Sequence, residues 1–300
     1  MSSPTPVLAG AVPMSPVPAR RLHAWSIAWL ALPAALLLAA IYAYPMIGVL
    51  RTAFNEVGPT GGMVEAWSLA TARTVFSDQF TLELTFNSLR LSVISTFVAL
   101  LLAYPLSLFL YRAPAHLRGP LTVVAIMPML VSSVVRSFGW LAILGDKGLI
   151  NSIAQAWGLA TTPIRMVYNW TGVTVGMAEV ILPYMILALL AGFGRLDRSL
   201  EEAARSLGCP PWRAFLRVTL PLSLPGIALS VGLGFVLSMS AYVTPKLLGG
   251  GRVFVLGTEI YEQATTNTNL PVAAVLATYT LALLLALLVV SNLVARRIQK

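Results

Sequence analysis

Charge is the scarcest property of this sequence. Asp, Glu, Lys and Arg make up 10% of its 300 residues, while 57% are hydrophobic and the mean hydropathy is +0.81; an ordinary soluble domain is about a quarter charged. Cysteine occurs once, at Cys209, so no internal disulfide can form, and we read it as a small filler in a turn. The two histidines, His23 and His116, are far apart. A metal site needs several ligands brought together, so none is expected. Neither H-E-x-x-H nor G-x-S-x-G occurs, and no catalytic residue is expected. The G-x-x-x-x-G-K-[ST] loop that cradles nucleotide phosphates is missing too. The formal net charge is +9. No basic face is interleaved with aromatics, so the sequence gives no sign of nucleic-acid binding.

What is present is long charge-free runs: Ala24 to Leu50, Leu91 to Tyr111, Val218 to Pro245 and Gln263 to Ala295. About 20 apolar residues of helix cross a bilayer core. These runs predict an all-α, polytopic membrane protein with six spans near 25–50, 87–111, 119–143, 171–193, 222–243 and 270–293. Residues 1–24 read as a Pro-, Ala- and Ser-rich cytoplasmic extension, 25–295 as the membrane domain and 296–300 as a short tail. The first apolar run is too long for a cleaved leader and lacks a clear cleavage site.

The bases set the orientation. Arg20, Arg21, Arg112, Arg118, Arg195, Arg198, Arg205, Arg213, Arg217, Arg296, Arg297 and Lys300 all fall on one side of a six-span chain. The opposite loops carry fewer bases, offset by acids. The positive-inside bias puts both termini and the loop between spans four and five in the cytoplasm. The long opposite loops, with Trp67, Trp157, Tyr168 and Trp170, have room for short amphipathic helices.

That cytoplasmic loop reads SLEEAARSLGCPPWRAFLRVTLP, residues 199–221. Ser199 and Glu202 have capping-box spacing. Leu196, Leu200, Ala203 or Ala204, and Leu207 form one helical stripe. Gly208 stops that helix, and Pro210-Pro211 opens a second with Trp212, Phe215, Leu216 and Val218 apolar and Arg213 and Arg217 between them. The plain reading is an amphipathic loop resting on headgroups; the other is a docking element joined to spans four and five.

Glu202-Ala203-Ala204, three residues, Gly208, nine residues, then Val218-Thr219-Leu220-Pro221 is similar to the EAA loop of importer-type ABC permeases, with Val218 where that family usually has Ile. YPLSLFLYRAPAHLRGPL, SFGWLAILGDKGLIN, ILPYMILALLAGF and TPKLLGGGRVFVLGTEIYEQ resemble the spermidine/putrescine type, over roughly residues 25–295. The resemblance implies a bacterial inner-membrane permease that works by alternating access. Its implied partners are a cytoplasmic ABC ATPase dimer that binds ATP and Mg, a second homologous permease, an extracytoplasmic solute-binding protein, membrane lipid and a small solute. It implies no cofactor in this chain, and coupling through Ser199, Glu201, Glu202, Ala203, Ala204, Gly208, Arg213, Leu220 and Pro221. A polyamine is the first choice of solute; opines, phosphonates and iron are alternatives.

Glu179 is the one carboxylate deep in an apolar run, and such a group marks a pathway or a partner. Either it meets a cationic solute, or it pairs with Arg136 or is neutralised by protonation. Trp140, Tyr184 and Tyr242 offer aromatic faces to an ammonium, or simply pack. Two other classes stay open: a self-contained secondary transporter or channel, which would call for more ionisable groups and inverted repeats, and a membrane scaffold.

Overall fold

The computed structural model describes residues 24–58, 62–194 and 196–298. Most of the proline-rich start, with Arg20 and Arg21, lies outside the described residues, as do Arg195 and Lys300. The chain divides after Gly48 into two units. Among the described residues the first unit is helix α1 (Ala24–Thr52) up to that point, with Pro33 and Pro45 inside it.

In the second unit the end of α1 is followed by a hairpin, β1 (Glu56–Val57) paired antiparallel with β2 (Met63–Val64), which the all-helical reading did not anticipate. Short α2 (Ala70–Ser77) follows. Then α3 (Gln79–Arg112) runs for 34 residues, about 50 Å at 1.5 Å per residue. It begins well before the span expected at 87, because Asp78 caps it by accepting from the Phe80 amide at 3.0 Å. About 20 residues suffice to cross the hydrocarbon. The first turns, with Glu83, Asn87 and Arg90, therefore project past the apolar stretch.

The third span departs from the sequence reading. In place of one helix over 119–143 there is α4 (Ala115–Ile126), a 3-10 turn (Met127–Leu130), and then α5 (Ser133–Leu144) and α6 (Leu149–Ala156). The two halves meet at 93°. Pro128 removes a backbone donor and crowds the preceding turn. Val131 and Ser132 then take extended backbone angles, with ψ of 134° and 137°. Among the described residues five helices are long and apolar enough to cross a membrane, six if this bent pair is one span. The predicted number of spans holds on that count. The third one is broken.

α7 (Trp170–Phe193) is the axis of the unit. It is apolar on all sides because it is buried on most of them: Val173, Met177, Ile181, Met185, Ile186, Leu189 and Phe193 are fully covered. After it come α8 (Arg198–Ser206) and α9 (Pro211–Ala214). A π-helical turn (Phe215–Thr219) then leads without a break into α10 (Leu220–Met239). The fifth span thus starts at Pro211 rather than 222, and the second loop helix is its first turn. Pro221 explains the π-turn. Its ring would crowd the carbonyl four residues back, and the Leu220 amide reaches instead to Phe215, five back. Short α11 (Val243–Gly249) and α12 (Leu256–Thr265) precede the last span, α13 (Leu270–Ile298). With α2 and α6 they supply the short helices expected in the opposite loops.

α3, α7 and α10 pack on one another through small residues. Ser223, Gly226, Ser230, Gly234 and Ser238 of α10 are buried, as are Ser92, Ser95, Ala99, Ala103 and Ser107 of α3. Lipid gives helices no hydrophobic reason to associate, so close backbone approach must hold them together. The tightest crossing is Gly192 of α7 against Gly226 of α10: a Cβ on Gly192 would stand 2.3 Å from the Gly226 Cα. Tyr104 and Ser223 hydrogen-bond at 3.0 Å between α3 and α10.

Gly192→Val should therefore force α7 and α10 apart, at a cost of about 1–3 kcal/mol. The expected outcome is a lower thermal midpoint for the purified protein. An unchanged midpoint would show that the crossing is looser than this geometry.

Candidate functional site

The arginine-rich end of the second unit is organised by one carboxylate. Glu201 of α8 accepts from Arg112 at the end of α3 at 3.0 and 2.8 Å, one bond to each oxygen. It also accepts from Arg205 one turn on at 2.7 Å and from the Thr219 hydroxyl in the π-turn at 3.1 Å. Both Arg112 bonds come from Nη2, which straddles the carboxylate, and hydrogen bonds between ionised partners are about twice as strong as neutral ones. Tyr111 adds a bond to the Leu196 carbonyl at 2.7 Å. These contacts enclose a cleft of about 260 Å³ between α8 and the ends of α3 and α10.

The N-cap of α8 differs from the Ser199–Glu202 box the sequence suggested. Asp197 caps the helix by accepting from the Ser199 amide at 2.9 Å. Ser199 thus receives the cap, and its hydroxyl and amide hold the Asp197 carboxyl below the usual carboxylate range. A carboxylate suits this end better than a hydroxyl, since it also meets the positive pole of the helix. Glu202 is exposed. The C-terminus follows the Schellman pattern: Gly208 N–H reaches Arg205 O at 2.9 Å, and Cys209 N–H reaches Ala204 O at 3.1 Å. Gly208 takes φ +83°, with no atom within 4 Å of where a Cβ would stand. Backbone conformation, rather than crowding, demands glycine here.

The face turned away from the clamp is apolar and uncovered. Leu207 is 89% exposed and Trp212 59%, with Leu200 and Leu216 about half exposed. Ala203 lies open between Glu202 and Arg205, while Ala204 is half-buried. Arg213 stacks over the Trp212 ring, 5.0 Å from its centroid. Leu220 and Pro221 belong to α10, as the continuation of α9.

In the broken span, Arg136 of α5 meets Glu179 of α7, Nη1 to Oε1 at 3.1 Å. Trp140 Nε1 points at the other oxygen at 3.4 Å. Both charged side chains are largely covered, 12% and 22% exposed. Trp140 thus presents its N–H to Glu179. Tyr184 lies five residues along α7, about 140° around the helix from Glu179, and has no part in this cluster. Tyr242 stands elsewhere, stacked on Tyr261 with centroids 4.9 Å apart. Of the five membrane residues singled out, the structure assembles three.

Sequence reasoning included Glu201 but missed that it is the hub. Its spacing to Arg205 was visible; Arg112 and Thr219 lie 89 and 18 residues away, where only the fold brings them near.

Comparison with known proteins gives a concordant result. The family described as binding-protein-dependent transport system inner membrane component matches residues 92–300. The chain is 32% identical over 207 residues to the spermidine/putrescine transport system permease protein PotB of Haemophilus influenzae, covering 69% of this chain and 72% of the relative. Against PotB of Escherichia coli it is 32% identical over 213 residues, 71% and 78% of the two chains. A bacterial alginate ABC transporter, solved with an alginate pentasaccharide-bound periplasmic protein, shares the fold, with a TM-score of 0.69, 18% identity, and coverage of 92% of this chain and 96% of that one.

The geometry of the ion pair sets a test. Glu179→Gln leaves Arg136 covered and without its counter-charge. Losing one partner of a buried pair costs about 3–5 kcal/mol, and the residual exposure places this pair near the lower bound. Folded yield should fall, and Arg136→Gln in the same chain should restore much of it. A Glu179→Gln protein with full yield would show that the pair is dispensable for assembly.

Proposed function

This chain belongs to the family of binding-protein-dependent transport system inner membrane components, as an ABC transporter permease subunit, and we propose that it imports a small solute by alternating access driven by a separate ATPase. The observation that carries the coupling reading is the α8–α9 pair. It bears an open apolar face around Leu207 and Trp212, is clamped to α3 through Glu201, and runs unbroken into α10. A short helix so fixed at both ends passes a push on its outer face to two spans at once. Its partner on that face is a cytoplasmic ATPase dimer, which binds the ATP and Mg; this chain contributes no catalytic residue. A second homologous permease completes the membrane part, and an extracytoplasmic binding protein delivers the solute. In this reading both termini and the α8–α9 pair are cytoplasmic.

The solute we propose is a polyamine of the spermidine/putrescine class. Its support is the similarity to the two PotB proteins. Glu179 is the proposed pathway acid, with Trp140 beside it. The Arg136–Glu179 pair carries no net charge, however, and this favours a second reading, in which the solute is a small zwitterion or anion. Uptake of radiolabelled spermidine into proteoliposomes holding the assembled transporter separates the two. Saturable, ATP-dependent uptake supports the polyamine; its absence, with uptake of a non-cationic solute, supports the other.

Two outcomes follow for the coupling pair and the orientation. Gly208→Asp forces a residue with a Cβ into the left-handed region, where such substitutions cost roughly 1 kcal/mol or more. The permease should still insert, but its retention of the ATPase on membranes and its uptake should both drop several-fold; normal transport would break the coupling reading. A reporter active only in the cytoplasm should work when fused after Lys300 and be silent near Gly250. The reverse pattern would invert the proposed topology.

A further inference from the structure

At the end of the unit remote from the α8–α9 pair, a cleft of about 340 Å³ runs between α11 and α12. Lys246, Thr258, Glu259 and Glu262 line it, with Val253 and Phe254 as its apolar wall. An ammonium already sits there. Lys246 Nζ donates to Glu262 Oε2 and stands 4.6 Å from the centroid of the Tyr261 ring. That ring is stacked at 15° on Tyr242. A carboxylate beside an aromatic face is the combination that takes an alkylammonium head. Here the head belongs to the chain itself.

We propose that this cleft is an alkylammonium seat occupied in cis by Lys246, and that a primary ammonium of a linear polyamine displaces the lysine from it. Three features support the exchange. Two carboxylates line the cleft beside one cation: Glu259 shares the wall with Glu262 and accepts from the neutral Gln263 amide at 2.8 Å. Arg252, the nearest base in sequence, lines a separate cleft with Asp146 and Arg165, so the seat keeps an excess negative charge. The resident pair is also open to water, with Lys246 40% and Glu262 41% exposed, and ion pairs so placed are weak and exchangeable. Finally, a lysine head on its four-carbon stem is chemically the aminobutyl arm of a polyamine. The Lys246 hydrogen bond holds the Glu262 carboxyl below its ordinary range. The alternative is a surface ion pair that merely braces α12 against α11.

The inference deepens the polyamine reading and rests on it for the solute's identity; its test reads the seat alone. Lys246→Ala in the full-length purified permease vacates the seat. Titrated n-butylammonium chloride should raise the thermal midpoint of this variant saturably, while equal NaCl should not. Adding Glu262→Gln should abolish the rise. Radiolabelled putrescine should bind the variant more tightly than the parent. If Lys246 fills the seat about four-fifths of the time, the gain is about fivefold. Should Lys246→Ala fold poorly, Lys246→Met, which keeps an unbranched apolar stem without the ammonium, serves in its place. No midpoint rise, or one that survives Glu262→Gln, would overturn the proposal. Binding of n-butylammonium without any polyamine uptake would uphold the seat and count against the polyamine reading alone.

Discussion

The bonds gathered by Glu201 are the constraint on which the rest of the arginine-rich end depends. α8 has nine residues, fewer than the roughly 12–15 an isolated helix needs in water. Its own resources are a cap at Asp197, a Schellman end at Gly208 and one i,i+4 pair with Arg205. What fixes it in place is the reach of Glu201 to Arg112 and Thr219, which ties the end of α3 and the π-turn leading into α10 to the same oxygen, Oε2. The carboxylate is mostly covered, at 18% exposure, while both arginines are open. Glu201 therefore gains from bonds in a less watery setting, without stranding a guanidinium in the interior.

Behind this clamp the second unit divides into a stiff part and an articulated one. α3, α7 and α10 meet through serines, alanines and the Gly192–Gly226 crossing, and α10 continues α9 directly because the π-turn absorbs Pro221 without breaking the helix. α4 and its 3-10 turn, by contrast, bury no residue at all. The chain beyond the 93° bend is held to α7 by Arg136 and Glu179. Asn151 braces it further, binding the Gly145 and Ile164 carbonyls and the Ile164 amide. An ion pair at a bend between two packed elements is a place where two arrangements of the spans can differ.

The sequence made the spans with clean hydropathy legible. α7 starts and ends within a residue of its expected bounds, and the Gly208 and Pro211 boundaries of the loop pair stand where glycine and proline put them. It failed where one local rule competed with another. The 79–86 turns of α3 look like loop because Gln79, Thr81, Glu83 and Thr85 alternate with Phe80, Leu82, Leu84 and Phe86 and break the apolar run, yet the helix capped at Asp78 runs through them. The 119–143 run looks like one span because hydropathy does not register the turn set by Pro128 and the extended Val131–Ser132 pair. Pro221 suggested a boundary, whereas the π-turn makes it internal. Ser199 looked like the cap because the box pattern favours it, although the carboxylate two residues earlier is the better acceptor. Residue types at the site could be read off the chain. Their partners, Arg112 for Glu201 and Lys246 for Glu262, are products of tertiary approach and leave no local trace.

The most direct measurement is the number of solute molecules moved per ATP hydrolysed by the reconstituted transporter carrying Glu201→Gln. Glutamine keeps the shape of the side chain but gives up the negative charge that the Arg112 and Arg205 guanidinium groups bind. A clamp that passes motion from α8 into α3 and α10 requires this ratio to fall several-fold while hydrolysis continues. A ratio equal to that of the parent protein would contradict the clamp as the route of coupling.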